Sequence, residues 1–370
     1  MNVLFVGKRF YTNRDALREQ FGRIYQLPVH WARSGVRTKL WLLDYHTREI
    51  HRLRDGDLEI VSTPLLGWAG LRQWGIEALA SQKPQVVVAS GDCYIGLMAY
   101  RLARRLRARF VFDVYDKYDE FAGYQRLPGF DLFDYLLRRS DNRLFASQSL
   151  MERVGYQVGR DLIVPNGVDL RRFCPLDMQE SRRMHGFPEE AIYIGYFGSM
   201  EQDRGVDDLV AAVRGLRSEG VDIELLLGGK PRPDMDLQQP GIRYVGNVPF
   251  EQVPTMLACC NLLSVPYRRS AIMDAGASNK IAEAIACGRP LVATRTPNFM
   301  DNFPLQAAQL GPLLAEPGDI VDLQRVIREQ VARRITVGLP EGMDWPAIAT
   351  TLAVDLSLGQ SRLSGEGVRQ

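Results

Sequence analysis

The sequence predicts an α/β protein built from two doubly wound domains, and three observations carry that reading. Short runs rich in β-branched residues alternate with helical periods through the first half of the chain. After a polar stretch the same alternation starts again. The runs are apolar throughout rather than every second residue, which is how strands covered on both faces read, and strand–helix alternation places helices on both sides of a parallel sheet. A length of 370 residues suits two or three folding units.

In the first half, strands are expected at Val3–Val6, Leu40–Leu43, Leu58–Val61, Gln85–Ala89, Arg109–Phe112, Arg143–Ala146 and Leu162–Val164. Helical segments are expected near 14–33, 70–81, 93–107, 130–140 and 148–155. Pro165-Asn166-Gly167 is a turn signal, and Arg171–Glu190 is polar and short of apolar periodicity, so a linker is expected near 165–190. Strands then resume at Ile192–Phe197, Ile223–Leu227, Ile242–Val245, Leu262–Pro266 and Leu291–Ala293, with helices near 205–219, 250–258, 279–287 and 319–334. Trp345–Leu356 reads as one more amphipathic helix, expected to cross back to the first domain, and Gly359–Gln370 as a polar tail. The expected division is 1–170, 171–344 and this C-terminal segment, 345–370. Ligands of such domains sit at the carboxyl ends of the strands, so two of them facing each other would form a cleft.

Composition excludes several classes. With 46% hydrophobic and 24% charged residues the chain is neither disordered nor fibrous, and no apolar run reaches the ~20 residues that span a bilayer. Met1–Gly7 enters a strand directly, so no secretion signal is expected. Cys93, Cys174, Cys259, Cys260 and Cys287 show no CxxC spacing, which fits reduced thiols in a cytoplasm and no metal site. The net charge of +2 hides an asymmetry: residues 1–165 carry 25 Lys+Arg against 18 Asp+Glu, and the remainder is acidic. A basic half calls for an anionic neighbour or is a solvated face. Arg101, Arg104, Arg105, Arg107 and Arg109 lie on and after one helix, and with Arg9, Arg14, Arg18 and Arg23 they could meet an anionic membrane surface. No nucleic-acid motif or aromatic-interleaved basic run accompanies them, so nucleic acid is not expected as a partner.

The chemistry is concentrated in the second half. Ser278 is a good N-cap for a helix that Gly288 and Pro290 stop, and its first turn carries Asn279 and Lys280. Unpaired N–H groups, the helix dipole and a lysine together favour an anion. Glu283, one turn on, suits the vicinal hydroxyls of a ribose. Gly198-Ser199-Met200-Glu201-Gln202-Asp203-Arg204-Gly205 joins a strand to a helix with an arginine at its rim, which suits a diphosphate, and Gly228-Gly229-Lys230 ends the next strand. Each feature also has a plain reading, as an exposed Lys/Glu pair or an ordinary βα loop.

Taken together these residues carry a family resemblance. Val164-Pro165-Asn166-Gly167-Val168-Asp169 with Phe173, Tyr196-Phe197-Gly198-Ser199 with Arg204-Gly205-Val206-Asp207-Asp208-Leu209, Gly246-Asn247-Val248-Pro249, and the stretch Ser278–Thr294 resemble the retaining GT-B glycosyltransferases of family 4, over most of residues 140–310 and in the expected order. The resemblance implies two Rossmann-like domains, an N-terminal one for the acceptor and a C-terminal one for a nucleotide-diphosphate sugar. That sugar nucleotide is a co-substrate, with neither cofactor nor metal implied. Arg204 stands at the family's diphosphate-binding cation. The family's other loop cation falls at Ser199, and Lys280 would compensate. Glu283 matches the second acid of the family's E-x7-E pair. The first falls at Ala275, beside Asp274, so contacts to the transferred sugar would come from Asp274 or from backbone N–H groups of Gly276–Ser278. The family's glycine-rich first loop is replaced by Gly7-Lys8-Arg9, and its His–Asp acceptor pair by Asp116 without a histidine.

The implied catalytic groups are Asp116, Asp274, Arg204 and Lys280. The donor set is Gly198, Ser199, Arg204, Gly229, Val248, Ser278, Asn279, Lys280 and Glu283, and the acceptor set is Lys8, Arg9, Asp92, Asp113 and Asp116. The expected partners are a sugar nucleotide with UDP or GDP, a glycan, lipid-linked or small-molecule hydroxyl acceptor, and an anionic membrane touched from the cytoplasmic side. Two other classes stay open. One is a degenerate GT-B module that binds without turnover, which Ala275 keeps alive. The other is an NAD-dependent oxidoreductase, which the absence of G-x-G-x-x-G after the first strand disfavours.

Overall fold

A computed structural model describes residues 1–11, 14–65, 83–121, 123–125 and 128–365, with side chains as far as residue 357. The helix expected over 70–81 lies outside the described residues. The chain divides into two compact units: Met1–Gly167 with Asp344–Gln370, and Val168–Met343.

The first unit carries β1 (Asn2–Lys8), β2 (Phe10–Tyr11), β3 (Arg14–Asp15), β4 (Arg37–Asp44), β5 (His51–Asp55), β6 (Leu58–Pro64), β7 (Val86–Ser90), β8 (Arg109–Val114), β9 (Asn142–Phe145) and β10 (Asp161–Ile163). Eight of them form one sheet in the order β10-β9-β8-β7-β1-β4-β6-β5. Every neighbouring pair is parallel except β5 with β6. All seven expected strands are present. The eighth, β5, reads His-Arg-Leu-Arg-Asp and has no apolar signature, because it is an edge strand with three exposed residues at its centre. Charge on an edge guards it against pairing with other chains.

The helix expected over 14–33 is broken. Asp15 caps a single turn, Ala16–Glu19, by accepting from Leu17 N, and Gln20 then turns left-handed at φ 53°. A β2–β3 ribbon precedes that turn, and the long helix begins only at Gly22 and runs to Arg33. The C-terminal helix Trp345–Gly365 packs on Gly22–Arg33: Trp345, Ile348, Ala349, Leu352 and Leu356 join the core that holds Trp31, Ile24 and Leu27. Trp31 Nε1 donates to Ala349 O at 2.7 Å, so this buried indole keeps a partner.

The second unit holds β11 (Tyr193–Phe197), β12 (Glu224–Gly228), β13 (Ile242–Tyr244), β14 (Leu262–Val265), β15 (Leu291–Thr294) and β16 (Leu314–Ala315). They form a parallel sheet in the order β13-β12-β11-β14-β15-β16. Two-residue β16 was too short to register as a run. Part of the expected linker is ordered within this unit. Asp177 caps the helix Met178–His185, and Arg182, 1% exposed, bonds to Cys259 O and Asn261 Oδ1. The unit begins and ends side by side, with Val168 N donating to Met343 O at 3.0 Å. Among the described residues no helix is long and apolar enough to cross a membrane.

Candidate functional site

The second sheet grows outward from β11 in both directions, through β12 to β13 and through β14 to β15 and β16. The crevice at the carboxyl ends of strands flanking such a reversal is where ligands of open α/β sheets sit. The loops after β11, β12 and β14 meet there. Gly198, at φ 154°, follows β11, and a methyl group on it would lie 2.1 Å from Cε of Lys280 and 2.9 Å from its Nζ. A side chain at this position would displace the lysine, so glycine lets the ammonium lie against the end of β11. Gly229, after β12, packs on Gly198: a methyl group there would meet Gly198 O at 2.1 Å. A methyl group on Gly228 would lie 2.6 Å from Phe197 and 2.9 Å from Val248, which brings Val248 to the same edge.

Arg204 closes a short turn, Gln202–Arg204, ahead of the helix Val206–Ser218. Its guanidinium sits 5.5 Å from the ring centre of Tyr267, and the Tyr267 hydroxyl shares a 2.8 Å hydrogen bond with Ser278 Oγ. Ser278 stands at the N-cap of the helix Asn279–Ala286, yet its hydroxyl makes no cap because it is turned to Tyr267. The first N–H groups of that helix thus lack a side-chain acceptor of their own. Arg204 Nε and Asn279 Oδ1 are likewise buried without a hydrogen-bond partner. Burial works against the charge of Arg204, but Tyr267, Tyr196 and Asp203 outweigh it and hold the guanidinium above its ordinary value. Unsatisfied donors, a lysine and an arginine therefore converge on one strand edge, a constellation suited to a polyanion.

Other donor residues play lesser or different parts. Ser199 contributes its carbonyl to the Tyr196 hydroxyl at 2.7 Å. Glu283 is half-buried one turn beyond Lys280. Asp274 does not stand unengaged beside the loop: both its oxygens take Arg269 Nε, at 3.0 and 2.9 Å. Ala275 is buried. Sequence reasoning missed Asn298, which is 1% exposed, accepts from Ser278 N at 3.1 Å and donates to Met273 O at 2.8 Å. Asn302 adds a bond to Gly276 O at 3.0 Å. These two asparagines tie down the Gly276–Ser278 loop from the short helix Pro297–Met300 and the turn after it, and nothing local in the sequence marks them. Tyr267, directly after Pro266 at the end of β14, was findable as a polar aromatic at a strand's carboxyl end.

At the carboxyl edge of the first sheet two expectations are corrected. Arg9 is 2% exposed and bonds to Asp15 and, at 3.0 Å, to Asp44, so it faces neither an acceptor nor a surface. Asp113 is 0% exposed. It takes Arg23 through two bonds of 3.0 and 2.7 Å and the Ser90 hydroxyl at 2.6 Å, so full burial among these partners keeps it from an acceptor and removes Arg23 from any basic face. Arg14 pairs with Glu19 and Arg18 with Asp15. Asp92 caps the helix Cys93–Leu106 through Ile95 N and also receives the Tyr45 hydroxyl, with Lys8 3.4 Å away. Asp116 accepts from Lys117 N within its own turn. Lys8, Asp92 and Asp116 thus stay at the edge, the first two as a pair.

Comparison with known proteins bears on the fold and on the second unit. Residues 191–332 match the family model "Glycosyl transferases group 1". The chain has the GT-B fold, and the matched segment lies within its second unit. The sucrose-phosphate synthase of Thermosynechococcus elongatus is similar over 100% of both chains, at a TM-score of 0.67 and 14% identity. Anabaena HepE in complex with UDP-glucose is similar over 99% of this chain and 100% of its own, at 0.63 and 15%. A D-inositol 3-phosphate glycosyltransferase of Corynebacterium jeikeium is 28% identical over 185 residues, 45% of this chain and 42% of that one. A Mycobacterium tuberculosis glycogen synthase is 24% identical over 242 residues, 59% of this chain and 54% of its own. The chain thus matches about half the length of these curated relatives.

Proposed function

We propose that this chain is a hexosyltransferase-type glycosyltransferase of the retaining family 4 kind. It moves a sugar from a nucleotide-diphosphate donor to a hydroxyl of a glycan, lipid-linked or small-molecule acceptor in the cytoplasm. The observation that carries this reading is the meeting of Lys280, Arg204 and the uncapped start of the helix Asn279–Ala286 at the reversal of the second sheet. In the transfer, the bond from the anomeric carbon to the diphosphate oxygen breaks and its electron pair stays with the diphosphate. The acceptor oxygen bonds to the anomeric carbon on the same face, and its proton leaves with the diphosphate. Preorganised donors aimed at the growing negative charge are the largest catalytic term, about 3–4 kcal/mol for one good donor. Lys280 and Arg204 would supply the charge that a divalent ion supplies in other transferases, so no metal is required. Glu283 would accept from the ribose hydroxyls, and Val248 would lie beside the base. The UDP and UDP-glucose bound by the similar Anabaena protein support uridine nucleotides as the first donors to try.

Thermal shift with UDP, GDP, ADP, dTDP and their sugars tests this directly. A ligand at 100 times its dissociation constant adds about 2.7 kcal/mol, so the donor stands out. No shift with any of them overturns the reading. The Arg269–Asp274 pair and Ala275 favour a second reading, a module that holds the donor without turning it over. A clear thermal shift with neither transfer nor donor hydrolysis would select it.

A further inference from the structure

Most arginines among the described residues are engaged by a carboxylate, a carbonyl or a ring, and the unengaged ones include four gathered on one helix. The helix Cys93–Leu106 contains four basic positions with its C-cap, Arg101, Arg104, Arg105 and Arg107, and no acidic residue. All four are exposed, and among the described residues no hydrogen bond or ion pair engages their guanidinium groups. Arg139, exposed on the helix Leu132–Arg139 packed beside it, meets only the ring of Tyr135. Arg9, Arg14 and Arg23 are occupied elsewhere, so they add nothing to this face.

The same face has an apolar end. Tyr94, Leu97, Met98, Arg101 and Arg105 follow one another at helical spacing along the solvent side. Tyr94 is exposed, Leu97 and Met98 are half-buried, and Phe130 is exposed at the start of the neighbouring helix. The helix begins at Asp92, just past the carboxyl end of β7, and ends ahead of β8. The apolar end therefore lies at the carboxyl edge of the sheet and the arginines toward the amino edge.

We infer that this face docks on an anionic lipid bilayer. Guanidinium groups on long stems reach phosphate headgroups while Tyr94, Leu97, Met98 and Phe130 enter the boundary between headgroups and acyl chains. A purely electrostatic partner such as a nucleic acid would have no use for the apolar end. Docking this way sets the carboxyl edge of the first sheet beside the membrane, where a lipid-linked acceptor would be presented. That last consequence rests on the proposed function, whereas the docking does not.

The test is co-sedimentation of the full chain with vesicles of phosphatidylcholine alone and of equal parts phosphatidylcholine and phosphatidylglycerol. The variants are Arg101→Gln/Arg104→Gln/Arg105→Gln and the corresponding triple lysine. A cation near an anionic surface contributes roughly fivefold in partitioning, so the glutamine variant should bind mixed vesicles about a hundredfold more weakly. The lysine variant should bind like the parent, and parental binding should fall as salt rises. Nucleotide thermal shifts should be the same for all three proteins, which separates this result from the donor site. Equal partitioning onto the two vesicle types, or an unchanged glutamine variant, overturns the inference. So does retention by duplex DNA but not by anionic vesicles.

Discussion

Lys280 touches the end of β11 only because position 198 has no side chain, and its contribution should be correspondingly local. Lys280→Ala and Arg204→Ala should each lower kcat by about 10²–10³-fold while shifting the melting temperature little, since neither holds a core contact. Steady-state rates beside melting curves check this. Glu283→Ala should weaken nucleotide affinity by a factor on the order of 10–100, the cost of losing charged hydrogen bonds, measured by calorimetry. The opposite pattern is expected at Asp113. Asp113→Ala leaves Arg23 buried and unpaired, which costs about 3–5 kcal/mol of stability, read from denaturant unfolding. Asp44 adds a pH dependence. Burial pushes its pKa up, but the Thr47 hydroxyl and N–H, the His46 N–H and Arg9 outweigh this and leave it below the ordinary carboxylate value. Its stabilisation is present above the unfolded carboxylate range and is lost as acid protonates it. An Asp44→Asn protein should therefore show a flatter melting temperature between neutral and acidic pH. At this scale the sequence revealed residue types better than residue duties. It singled out Arg204, Ser278 and Lys280 from local loop and helix-start patterns, yet the Ser278 hydroxyl turns to Tyr267 instead of capping. It misplaced Arg9 and Asp113 because burial by partners 35 and 90 residues away leaves no local trace.

Elements were legible wherever periodicity was strong. Continuous apolar runs gave every long strand of both sheets, since strands covered on both faces have no polar side to interrupt them. What escaped was short or polar: charged β5, two-residue β16, and the β2–β3 ribbon that, with the left-handed Gln20, splits one expected helix in two. The C-terminal helix was recognisable from its amphipathic pattern. Its weight comes from its contacts, because Trp345, Leu352 and Leu356 complete the core around Trp31. Trp345→Ala should cost about 3–5 kcal/mol and Leu352→Ala about 2–5 kcal/mol, measured as lost unfolding free energy. Leu305→Ala, at a position 70% exposed, should change it little.

For the whole molecule, the fold class came from the restart of the strand–helix pattern, and the glycosyltransferase reading came from motifs between Val164 and Thr294. The family model, over residues 191–332, overlaps most of that stretch. The N-terminal stretch offers pattern without motif, so the sequence carries no residue signature for the acceptor proposed there. If charge from Lys280 and Arg204 replaces a metal, turnover should survive EDTA and gain nothing from added Mg²⁺. Loss with chelator and recovery with the ion would remove that assignment.

The hydrogen bond from Val168 to Met343 has a practical corollary. The second unit is spliced into its host as a cassette whose ends are already clasped, so freeing it should leave no frayed terminus. A fragment running from Val168 to Met343 should be expressible alone and keep its nucleotide affinity, and joining its native ends to open it elsewhere should be tolerated.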